Sequence, residues 1–130
     1  LVVALDVDSN AGSLYRLYEV ALNRAPDNAG FRFFIPELDG GLGISVLANT
    51  FLKSPEFMKS FGSLATMSNK DFVSLTYQNG LNRAVDQGGL DYWVDKLTSG
   101  LERAEFVGIL ANSSEAHNLY YKSLENGVWL

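Results

Sequence analysis

The stretch "LNRA" occurs twice in this chain, at residues 22–25 and 81–84, and its surroundings repeat with it. Shifting the sequence by 59 positions aligns residues 18–57 with residues 77–116 without a gap. Tyr18 meets Tyr77, Leu22 meets Leu81, Asn23 meets Asn82, and Arg24 meets Arg83. Asp27 and Asp86, Gly30 and Gly89, Leu38 and Leu97, and Gly41 and Gly100 follow in the same frame. Ser54 with Ser113 and Glu56 with Glu115 close the match. So long an ungapped match means that one structural unit has been duplicated, and each unit must bury its apolar face on the other. Two copies predict a shared core rather than an extended solenoid.

Periodicity shows what the unit is made of. Leu14, Leu17, Tyr18, Ala21 and Leu22 lie on one stripe of an amphipathic helix, and Val73, Tyr77, Gly80 and Leu81 repeat that stripe. A second helix carries Phe31, Phe34, Ile35 and Leu38, matched by Leu90, Trp93, Val94 and Leu97. Asp27 and Asp86 stand at its N-cap, where a short carboxylate accepts free amide hydrogens. Gly40 and Gly41, and Gly100, supply its left-handed stop. A third helix holds Leu47, Ala48 and Phe51 in one copy and Phe106, Val107, Ile109 and Leu110 in the other. A fourth starts at "SPEF", with Ser54 as cap, proline at the first position and Glu56 at the positive dipole end; Ser113 and Glu115 repeat this without the proline. Pro36 predicts a kink or an early end in the second helix, and Asp95 in its place predicts a straighter copy. The expected fold is all-α: a short extended segment over residues 1–12, then two tandem repeats of about four helices each, over 13–63 and 64–130, sharing one core.

Composition narrows the function. With 130 residues and 47% hydrophobic content the chain can fill a core. Its net charge of −5 argues against a nucleic-acid partner and against an anionic membrane surface. Without cysteine there is neither a disulfide framework nor a thiolate zinc site. Apolar runs fall short of the roughly 20 residues that a membrane helix needs, so membrane insertion is not expected. No basic flank precedes an apolar stretch at the start, and the chain is read as a piece of something longer or as a processed chain.

The candidate chemistry is sparse. Arg24 and Arg83 are expected to tie down the end of the first helix and to pair with Asp27 and Asp86 three residues on. His117 is the only histidine and is read as a surface or packing residue. No phosphate loop and no nucleophile elbow is present. Phe31, Phe33, Phe34, Tyr92 and Trp93 are expected in the core by helical spacing, with sugar stacking as the alternative. Trp93, Tyr120, Tyr121 and Trp129 are the candidates for a ligand or partner surface. Asp6, Asp8 and Asn10 alternate as oxygen ligands do in calcium loops and are the candidate metal residues. Against calcium, Gly12 comes one place late and Leu17 stands where a bidentate Glu belongs; in the competing reading Asn10 or Ser13 caps the first helix. No other cofactor is expected.

The tandem "LYEVALNRAPDNAGFRFFIPELDGG…FLKSPEF" and "TYQNGLNRAVDQGGLDYWVDKLTSG…RAEFVGILANSSEAH" resembles the bacterial domain of unknown function 4214. Asn23 and Asn82 replace its usual Gly, Phe34 replaces Trp, and Ala116 replaces the final Phe. The opening and the closing "NGVWL" are similar to the flanks of such pairs at the C-terminus of RTX-type proteins. Similar units occur in phage virion proteins, and the helical signature resembles that of phycobilisome linker domains. The resemblance implies a setting and no activity: an extracellular or cell-surface protein exported by type I secretion, or a virion. The expected function is a non-catalytic structural or interaction module for assembly or adhesion, its partner a protein or a second copy. A carbohydrate-binding domain and an acid/base enzyme are the alternatives.

Overall fold

The computed structural model describes residues 2–3, 9–125 and 128–129, with side chains over 9–123. Among these residues eight helices run in order: α1 (Asn10–Leu22), α2 (Asn28–Asp39), α3 (Ile44–Leu52), α4 (Pro55–Phe61), α5 (Asn69–Leu81), α6 (Gln87–Thr98), α7 (Arg103–Ala111) and α8 (Ser114–Glu125). A single 3-10 turn, Leu64–Thr66, joins the two sets of four. The only described strands are β1 (Val2–Val3) and β2 (Val128–Trp129), paired antiparallel with Val2 opposite Trp129.

The helices obey the 59-residue shift of the sequence. α1, α2 and α3 start and stop 59 positions before α5, α6 and α7, and α4 starts 59 before α8. Equivalent caps explain why. Ser9 and Ser68 accept the backbone N–H groups of Gly12 and Asp71, at 3.1 and 3.0 Å. Asp27 and Asp86 accept those of Gly30 and Gly89, and Ser54 and Ser113 those of Phe57 and Ala116. Asn23 and Asn82 end α1 and α5 at φ 56° and 54°. This left-handed turn is where glycine is favoured and asparagine is the best substitute, so the two departures from the family pattern keep the backbone they need.

Three expectations are corrected here. Ser9 caps the first helix, not Asn10 or Ser13, and α1 begins inside the segment expected to be extended. The early end that is one expectation for Pro36 does not occur: α2 continues to Asp39 and is as long as α6. Pro36 lies in the last turn, where one missing N–H leaves few later bonds to disturb, and its carbonyl still accepts from Gly40 at 2.9 Å. Ile109 is exposed on α7 rather than in the core.

The most extensive contacts join equivalent helices, α3 with α7 and α1 with α5, so the repeats pack on each other. One large and one small side chain fill equivalent space in reversed order: Leu47 and Phe51 on α3, Phe106 and Leu110 on α7. Two arginines lock the arrangement at points where the repeats differ. Arg16 is 1% exposed and donates through Nε to the Ala111 carbonyl at the C-terminal end of α7, at 2.8 Å. Arg103 donates to the carbonyls of Leu64 and Met67 at 2.7 and 2.6 Å and to Asn69 Oδ1, stapling the inter-repeat turn to the start of α7.

At the α1–α5 crossing Gly80 faces Val20. A Cβ added there would stand 2.8 Å from Val20 Cγ2 and 3.1 Å from its Cα. Helix propensity favours Gly80→Ala by about 1 kcal/mol, whereas overpacking a close crossing costs about 1–3 kcal/mol. The clash with backbone decides the sign. Gly80→Ala should lower unfolding free energy by about 1–2 kcal/mol in urea titrations. Gly88→Ala, whose Cβ would make only an ordinary contact, should leave it unchanged or slightly raised.

Candidate functional site

Duplicated polar residues converge on one joint in each repeat. Asn23 turns the chain out of α1, which sends Arg24 toward the first turn of α4. There Glu56 receives it: Arg24 Nε and Nη2 donate to Glu56 Oε2 and Oε1 at 2.6 and 2.8 Å. Arg83 donates to Glu115 in the same two-pronged way at 2.7 and 2.9 Å. Nη1 of each arginine bonds the next residue's carbonyl, Ala25 or Ala84. Each guanidinium also lies 5.0 Å above a tyrosine ring, Tyr18 or Tyr77. The glutamate meets both the arginine and the positive end of the helix it opens. This clasp joins the end of the first helix to the start of the fourth.

The expected pairing with aspartate is present in the first repeat but is secondary to the contact with glutamate. Asp27 lies 3.9 Å from Arg24, a distant contact beside the bidentate one, and its carboxylate is occupied with the cap. The signal for the true partner was in the sequence: arginine and glutamate are kept in both copies at the same separation. Hydrogen bonding by Arg24 holds the Glu56 carboxyl below its ordinary value, and Arg83 does the same for Glu115. The glutamates in turn raise both arginines. All four groups are therefore held charged.

Beneath each clasp the tyrosine enters an aromatic cluster. Trp93 Nε1–H donates to the Tyr77 hydroxyl at 2.9 Å, and the indole packs 4.9 Å from Phe106. The first repeat has Phe34 there, without an N–H, and Tyr18 instead points its hydroxyl at Gly30, where an added Cβ would collide with it. Burial, with Asp27 adding, raises the Tyr18 pKa.

The candidate surface residues divide. Tyr120, expected on a docking surface, is 5% exposed and donates its hydroxyl to the Gly80 carbonyl at 2.7 Å; α8 is anchored by it. Trp93 is half-buried, Tyr121 is exposed, and the Trp129 side chain lies outside the described residues. Of the candidate metal residues, Asp6 and Asp8 lie outside the described residues, and Asn10 opens α1 with its amide donating to Asp39. Among the described residues no cluster of three or more His, Asp or Glu side chains could hold a metal ion, and no helix is long and apolar enough to cross a membrane. His117 Nδ1, in the first turn of α8, bonds the carbonyl of Ser113 just before that helix.

The expectation that Phe33 and Tyr92 lie in the core is corrected. These stand at equivalent positions on α2 and α6, are 63% and 55% exposed, and pack edge-on against Phe34 and Trp93. Both lie off the stripes that run through Phe31, Phe34, Ile35 and Leu38 and through Leu90, Trp93, Val94 and Leu97, and this was the available signal.

Fold and site together define a duplicated helical unit held by an Arg–Glu clasp in each copy. The chain belongs to the family described as Domain of unknown function (DUF4214), whose model matches residues 48–120, more than half of its length. The matched stretch runs from α3 into α8 and contains the whole Arg83–Glu115 clasp. No curated protein and no solved structure matches the chain.

Because both glutamates titrate lower when folded, the clasp's stabilisation is complete above the ordinary carboxylate value of 4.5 and is lost as pH falls through the lower folded value. The pairs are about 40% exposed, so each is worth only about 0.5–1 kcal/mol. Chemical denaturation at pH 7 and pH 3 should therefore show Glu56→Gln/Glu115→Gln less stable than wild type at pH 7 by about 1–2 kcal/mol, with a smaller gap at pH 3.

Proposed function

We propose that this chain is a non-catalytic interaction module, and that it serves assembly or adhesion in a secreted, cell-surface or virion protein. The observation that carries the reading is the pair Phe33 and Tyr92. They are the only exposed large apolar residues, among those described, that occupy equivalent positions in the two repeats. A duplicated core would tolerate polar residues at both places, whereas an aromatic kept outward in both copies suits docking. The setting follows the proteins whose tandem units the sequence resembles.

The state of the repeated charges supports a structural role for the clasps. A general acid or base works best with a pKa near the operating pH, and these arginines and glutamates are driven the opposite way. Glu19 is raised by burial, but it has Gln78 as its counterpart and belongs to one repeat alone. For sugar stacking, Trp93 has already given its N–H to Tyr77 and one side to Phe106. A protein surface is the favoured partner.

Sedimentation and binding to the protein that flanks or accompanies the chain in its native assembly provide the test. Phe33→Ser/Tyr92→Ser should weaken association at least about tenfold while far-UV circular dichroism stays unchanged. Full retention of binding by this variant would sink the reading.

A further inference from the structure

The two outer helices carry equivalent grooves with opposite charge. On α2 a groove of about 260 Å³ is floored by Phe31 and Ile35 and edged by Arg32. On α6 a groove of about 390 Å³ is floored by the equivalent Leu90 and Val94 and edged by Asp91 and Asp95, with Lys70 at its rim. Arg32 and Asp91 occupy the same position of the repeat, so duplication has kept the groove and inverted its sign. Glu37 and Lys96, a second exposed equivalent pair on these helices, are inverted as well. Arg32 has no hydrogen bond or ion pair among the described residues, whereas Asp91 accepts from the Gln87 amide at 2.8 Å.

We propose that α2 of one copy docks on α6 of a second copy, head to tail, with Arg32 set against Asp91 and Asp95. This rests on the interaction-module reading and names its partner. Placing α2 on α2 would set Arg32 against Arg32, and α6 on α6 would gather four aspartates. The mixed contact opposes Arg32 to the two aspartates across matched apolar floors, and the inverted pair Glu37 and Lys96 adds to the same complementarity. Such a contact uses a different face on each partner, so it leaves one α2 and one α6 free and propagates beyond a dimer. The grooves are lined by four and seven residues, against the roughly 20–30 that each side of a stable interface contributes. The association is weak and concentration-dependent, and salt reduces it.

Sedimentation velocity of the full chain over a range of concentration and salt, with charge-swapped variants, tests the proposal. Arg32→Asp and Asp91→Arg should each lower the association constant about tenfold, and Arg32→Asp/Asp91→Arg should recover most of it, because every copy then presents both swapped faces. Asp95→Arg provides a second acidic-side variant, away from the start of α6, and circular dichroism checks that each variant is folded. A wild-type chain that is monomeric at every concentration overturns the proposal, as does association that ignores the single swaps or a double variant no better than either. In those cases retained binding of a different protein through Phe33 and Tyr92 would keep the interaction-module reading alive; loss of that binding as well would end both.

Discussion

The bidentate contact between an arginine just beyond the first helix and a glutamate opening the fourth is the constraint around which each repeat closes. It spans most of the unit, from Arg24 to Glu56 and from Arg83 to Glu115. Its strength is modest because water reaches it. Its value is geometric. The planar guanidinium accepts one orientation of the carboxylate and lies over a tyrosine ring of the first helix, so the first and fourth helices are aligned at once. The apolar core then supplies most of the stability on a frame whose ends are already in register.

Duplication explains both the likeness and the differences between the halves. Caps, turns and clasps recur because each is a local solution needing two or three specific residues. The interior did not have to repeat in detail. Leu47 with Phe51 and Phe106 with Leu110 hold similar volume in opposite order, and Arg16 and Arg103 have Leu75 and Ile44 as counterparts. The staples of Arg103 to Leu64 and Met67 exist once, because there is only one inter-repeat turn to hold.

The same divergence gives the module its surface. Phe33 and Tyr92 stay outward while the residue after each turns inward to pack on Phe51 or Phe106. Beside them, equivalent grooves of opposite sign make the two halves complementary to one another rather than merely alike. A single unit could not present both faces.

Much of the fold was legible in the chain itself. The 59-residue repeat, the helical stripes, and the caps at Asp27, Asp86, Ser54 and Ser113 are local properties, set by side-chain period and by the hydrogen-bonding reach of a short polar residue. The family membership follows from the same short-range patterns. What needed the tertiary structure were the partners of long side chains. Whether Arg24 is held chiefly by Asp27 or by Glu56, and whether Tyr120 faces solvent or the Gly80 carbonyl, depends on where distant helices lie. An arginine or tyrosine is long enough to satisfy several neighbours, and only packing selects one.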